Sequence, residues 1–189
     1  MYREFLFAAS FLVASAAPAQ TPAPSIILAS GAGTAAPSFF KAEVRGDLAT
    51  SASGAAAFGA IPAAAHSPAA FVVSLGVGGH QSAILFTRRS GTPLGVGRYR
   101  ISDRANGADE ILALVMSGSP TSPTGVFRGQ SGWLIVTAAS DHLLTGRFQI
   151  NGMGFLAAEP QRENRPVNVS GSFWATAASS SFGAGEDAE

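Results

Sequence analysis

Residues 143–150, Leu-Leu-Thr-Gly-Arg-Phe-Gln-Ile, and residues 167–176, Val-Asn-Val-Ser-Gly-Ser-Phe-Trp-Ala-Thr, carry one short motif twice. In Leu144-Thr145-Gly146-Arg147-Phe148 and Val169-Ser170-Gly171-Ser172-Phe173 it reads apolar, small, Gly, any residue, Phe, and Val44-Arg45-Gly46-Asp47-Leu48 is a looser copy. The two-residue period of a β-strand places Leu144, Gly146, Phe148 and Ile150 on one face, and Val169, Gly171, Phe173 and Ala175 likewise. Glycine on such a face lets a neighbouring backbone or ring come close. Residues 131–138, a turn around Ser140-Asp141 and a polar loop over 159–166 complete a three-stranded meander.

The same reading extends upstream, where apolar runs of five to eight residues alternate with Gly, Pro, Asn and Ser clusters. Residues 71–77 and 80–87 flank Gly78-Gly79, which suits a two-residue turn with positive φ; Phe71 is then expected opposite Phe86, and Val73 opposite Ile84. Residues 98–104 and 109–115 flank Asn106-Gly107, which predicts a second hairpin with Tyr99 opposite Leu114, Ile101 opposite Leu112 and Arg104 opposite Asp109. The expected fold is all-β, an antiparallel β-sandwich or flattened barrel of about 8–10 strands built largely from sequential hairpins.

Gly132 at the head of the 131–137 run, followed by Leu144-x-Gly146-x-Phe148 and Val169-x-Gly171-x-Phe173-x-Ala175, resembles a class of uncharacterised bacterial exported all-β domains with C-terminal Gly-x-Phe strands. The resemblance covers the last third of the chain. It implies fold and export and brings no activity. Where that pattern has a small polar residue, this chain has Trp133.

Residues 1–19 read as a signal peptide: Arg3, an uncharged apolar run over 5–17, and the small-residue site Ala17-Pro18-Ala19. Residues 20–37 read as an Ala/Pro-rich linker, 38–176 as a single β domain and 177–189 as a flexible tail. The run is too short to span a bilayer as a helix, and no transmembrane segment is expected after signal removal. A periplasmic or extracellular protein follows.

Twelve Lys+Arg balance twelve Asp+Glu in 189 residues, so no long-range field recruits nucleic acid. With 47% hydrophobic residues and 13% charged, the chain has enough apolar side chains for a core. The absence of Cys excludes thiolate nucleophiles, Cys-ligated metals and disulfides. No cofactor is expected. Asp141-His142 lacks a placed Ser partner for a triad, and Gly129-Gln130-Ser131-Gly132 falls short of a nucleophile elbow. Asp103, Asn106, Asp109 and Glu110 cluster without the spacing of a calcium loop, and His66, His80 and His142 lie in separate segments, so no metal site is assigned. Arg88-Arg89 with Arg98 and Arg100 suggests a basic patch, against the plainer role of keeping a strand edge soluble.

Alternation leaves one aromatic signal. If Leu134 and Phe173 point inward, Trp133 and Trp174 point outward, beside Arg147 and Gln149, and the two indoles are expected side by side. Trp133, Trp174, Arg147 and Gln149 are therefore the candidate binding residues, for a glycan or an envelope protein. The competing account has residues 26–42 covering them. The expected function is a non-enzymatic exported binding or structural module. A lipocalin-like carrier of a small apolar ligand is the alternative, and a hydrolase comes last.

Overall fold

The computed structural model describes residues 38–178, apart from 48, 65–66, 78–81, 120–121, 160 and 162–163. The described residues form nine strands and no helix: β1 Phe39–Gly46, β2 Thr50–Ile61, β3 Ala70–Val77, β4 Ser82–Arg88, β5 Gly97–Ser102, β6 Glu110–Ser119, β7 Ser122–Ala139, β8 Leu143–Leu156 and β9 Arg165–Ala177. They make one mixed sheet that closes on itself in the order β1-β2-β3-β4-β6-β5-β7-β8-β9. The fold is a closed, uneven barrel, and closure pairs the strand edges that an open sheet would expose.

Alternation sorts the side chains as the strand period requires. On β1, Phe40, Ala42 and Val44 are buried while Lys41, Glu43 and Arg45 are exposed. On β8, Leu144, Phe148 and Ile150 are buried between exposed Arg147 and Gln149. Aromatic rings meet in the interior. Phe86 meets Phe148 edge-on at 5.3 Å between centroids, and Phe148 meets Phe173 at 6.5 Å.

The ring is uneven because two short strands act as wedges. β1 lies between β9 and the first part of β2; beyond it, Ala57 and Phe58 of β2 pair in parallel with Thr176 and Ala177 of β9. β5 likewise lies between β7 and the start of β6, where Arg100 and Ile101 pair in parallel with Glu110 and Ile111. The far half of β6 then pairs directly with β7.

That second wedge overturns the hairpin expected at Asn106-Gly107. Tyr99 and Ile101 oppose Leu134 and Gly132 of β7, while Leu112 and Leu114 oppose Thr87 and Leu85 of β4. Ile111, Ala113 and Val115 face the core instead of Leu112 and Leu114. The run Ile-Leu-Ala-Leu-Val is apolar at every position, so either parity reads equally well. Positive φ falls on Ala105, at 41°, and not on Gly107. The turn is held instead by Glu110, whose carboxylate accepts the Asn106 and Gly107 N–H groups, each at 3.0 Å. Arg104 and Asp109 form no ion pair among the described residues; Arg100 takes Glu110.

The first hairpin forms, with a different register. Val73 opposes Phe86, Leu75 opposes Ile84 and Phe71 opposes Arg88. A slip of two residues keeps every side chain on its own face, so alternation is blind to it. The backbone turns aside at Gly76, φ 101°, where a Cβ would stand 2.2 Å from the Ser82 carbonyl oxygen. The expected Gly78-Gly79 turn lies outside the described residues. The C-terminal meander is formed as expected, with β7, β8 and β9 successively antiparallel.

The barrel exterior has two unlike halves. Over β4 and β6 the outward positions are Leu85, Leu112, Leu114 and Met116, half-buried against one another, with Val126 and Phe155 beside them. Over β5, β7, β8, β9 and β1 they are mainly Arg, Gln, Asn and Ser.

Candidate functional site

On the polar half the registers of neighbouring strands set outward side chains in rows. One row runs Arg100, Trp133, Gln149, Ser170 across β5, β7, β8 and β9, and the next runs Arg98, Ile135, Arg147, Ser172. Three of the four sequence-predicted residues, Trp133, Arg147 and Gln149, thus form one group: Gln149 is directly opposite Trp133, and Arg147 is its diagonal neighbour, within reach of a long side chain.

Backbone geometry places the indole. Gln130 is the extra residue of a bulge, since Gly129 opposes Gly152 and Ser131 opposes Asn151. Gly132 follows with φ 134°, and a Cβ there would stand 2.1 Å from the Gln149 carbonyl oxygen. Only glycine allows β8 this close at the residue that precedes Trp133.

The electrostatics come from β5, whose sequence Arg-Tyr-Arg turns Tyr99 in and both arginines out. Arg98 stands over the Trp133 ring, 5.9 Å from its centroid, and makes no hydrogen bond or ion pair among the described residues. Arg100 gives Nε and Nη2 to Glu110 Oε1, the former at 3.1 Å, while its side chain stays largely in solvent. The Arg100 guanidinium first and the Gly107 amide next hold the Glu110 carboxyl below the ordinary glutamate range, against an opposing effect of burial that is larger than the further lowering by the Asn106 amide. Beside this pair an open groove of about 630 Å³ is lined by Arg98, Arg100, Ser102, Asp109, Gln130 and Ser131, among others. Arg147 makes no ion pair among the described residues.

Trp174 stands elsewhere. It lies opposite Thr145, four residues along β8 from Gln149 and one strand further on, about 13 Å away along the strand alone. The expected contact between the two indoles does not form. Trp174 stacks on Phe39 of β1, centroids 4.7 Å apart and planes at 21°, and both rings remain about four-tenths exposed.

The sequence had flagged Arg98 and Arg100 only as part of a wider basic run. Their spacing of two on a strand was the usable signal, since it puts both on one face. Arg88 does not belong with them. It turns toward the barrel end, where Nη1 and Nη2 donate to the Pro93 and Ala108 carbonyls at 3.0 and 2.9 Å, and its guanidinium covers Tyr99. Glu110 spends its oxygens on Arg100 and two amides. His142 is exposed in the turn that Ser140 closes, and His66 and His80 lie outside the described residues.

Against known proteins the chain matches no family model, no curated protein and no solved structure.

Proposed function

We propose that this protein is an exported, non-catalytic binding domain that docks a polysaccharide on its polar outer face, centred on Trp133. The observation that carries the reading is the composition of that face. A half-buried indole lies among Arg98, Arg100, Arg147 and Gln149, with small Ser and Asn side chains on the flanking strands. A sugar ring offers an apolar C–H face and a hydroxyl rim, and an indole bordered by hydrogen-bonding groups suits both. A protein partner would call for more apolar anchors than Trp133 and Ile135. Export is part of the reading and is supported by the sequence of residues 1–19.

The test is retention of the secreted protein on a panel of immobilised neutral and acidic polysaccharides. Wild type is expected to be retained on at least one, and Trp133→Ala to be lost from it with a melting temperature within a few degrees of wild type. Equal retention of Trp133→Ala would refute the assignment. Its unfolding would make Gln149→Ala, an exposed position, the deciding variant, with loss of retention upholding the site and full retention refuting it.

A further inference from the structure

We infer that the groove beside Trp133 selects a polysaccharide that carries carboxylates, with Arg98 as the residue that reads the charge. The inference rests on the polysaccharide reading above and adds the chemical class of the ligand.

The argument starts from how the arginines are held. A guanidinium has five N–H donors in a fixed fork and binds a carboxylate through two parallel hydrogen bonds. On β1, Arg45 has Nε and Nη2 taken by a neighbouring acid, Glu43. Arg98 is held differently, by the face of the Trp133 ring. A π face restrains a guanidinium without consuming its N–H groups, so Arg98 is positioned and its donors stay open. Arg100 sits two residues along on the same face, with Nε and Nη2 committed to Glu110 and Nη1 uncommitted among the described residues. Arg147 adds a third cation with no acid partner among the described residues, next to Ile135, which is itself opposite Arg98.

Charge gives the groove a direction. Asp109 lines it from the loop after β5 and makes no ion pair among the described residues. It repels an anion from its own side of the groove, while Arg98, which also lines the groove and stands over Trp133, attracts one, with Arg147 outside the lining, across Ile135 on β8. Arg98, Arg100 and Arg147 against Asp109 and Glu110 leave one net positive charge on this face, in a chain whose formal net charge is zero. The chemistry on offer is therefore an open arginine fork carried on a half-buried indole, which matches a sugar ring bearing its own carboxylate.

The experiment compares polygalacturonate with the same polymer after methyl esterification, which removes charge and keeps the sugar, and with dextran sulfate as a charged polymer lacking carboxylates. Wild-type protein is expected to bind polygalacturonate at least tenfold more tightly than its ester and than dextran sulfate. Arg98→Gln is expected to lose that preference, and Arg98→Lys to regain only part of it, because an ammonium keeps the charge without the fork. Equal binding of ester and acid would overturn the carboxylate assignment and leave the polysaccharide reading intact. Dextran sulfate bound as tightly as polygalacturonate, or Arg98→Lys matching wild type, would overturn it too. Binding of no polymer, here and on the wider panel, would bring down both readings. Arg98 is exposed and has no hydrogen-bonding partner among the described residues, so its variants are expected to fold, and melting curves check that.

Discussion

The ring of Phe148 on β8 covers Gly171 on β9, with Cζ 2.7 Å from the point where a Cβ on that glycine would stand. The relation is reciprocal, since Phe173 of β9 covers Gly146 of β8, its Cε1 2.9 Å from the corresponding point. Each copy of the repeated motif thus supplies the gap that the other copy's ring fills. Two phenyl rings enter the barrel interior side by side without forcing the strands apart.

Gly171→Ala is accordingly expected to destabilise the domain by about 1–3 kcal/mol, the usual range for overpacking a core. The added methyl would meet both the Phe148 ring and the Lys41 carbonyl oxygen, 2.4 Å away. Gly97→Ala, at a position with nothing within 4 Å, is the control and is expected to be near neutral. Urea denaturation of the two variants against wild type checks the contrast.

Gly132→Ala joins a strained backbone to the proposed binding face. With φ at 134° and the Gln149 carbonyl in the way, the alanine must push β7 from β8 at the residue before Trp133. The expected result is a loss of about 1–3 kcal/mol, on the scale for residues held in sparsely populated φ/ψ regions, together with weaker polysaccharide retention. Near-native stability would show that the bulge relaxes without cost.

The placement of the two indoles gives a test by double-mutant cycle. Trp174→Ala and Phe39→Ala remove members of a stacked pair, and their coupling is expected at about 0.5–1.5 kcal/mol. Trp133→Ala and Trp174→Ala alter sites separated by β8, and their effects on thermal stability are expected to add. Strong coupling between the indoles would mean they meet after all.

Glu110 gives the pH dependence. Its carboxyl titrates below the ordinary glutamate value, chiefly because Arg100 donates to it and next because the Gly107 amide does. A carboxyl lowered by folding stabilises the folded state fully above its unfolded pKa, and that contribution is lost as pH falls through the lowered folded value. The 103–110 loop is therefore expected to loosen in acid, below the range where exposed glutamates titrate. NMR titration of the Glu110 carboxyl and the Asn106 and Gly107 amides follows this directly. A Glu110 midpoint at or above the ordinary value would refute it.

Local pattern settled much about this protein. Strand content, the β7-β8-β9 meander, the paired Gly-x-Phe faces and the outward direction of Trp133, Trp174, Arg147 and Gln149 all follow from a two-residue period, because adjacent side chains on a strand must point opposite ways. What the period cannot encode is which strands meet and at what offset. A slip of two residues moved Phe86 from Phe71 to Val73 without changing a single face. The uniformly apolar run 111–115 gave no parity at all, so its partner was chosen by the fold: β4 on one side, and β5 then β7 on the other. The candidate site shows the same division. Arg98 and Trp133 were each legible as outward residues, yet they lie 35 positions apart in the chain. Only the wedging of β5 against β7 brings the guanidinium over the indole, because cross-strand contact depends on non-local hydrogen-bond register, which the closed ring of nine strands fixes as a whole.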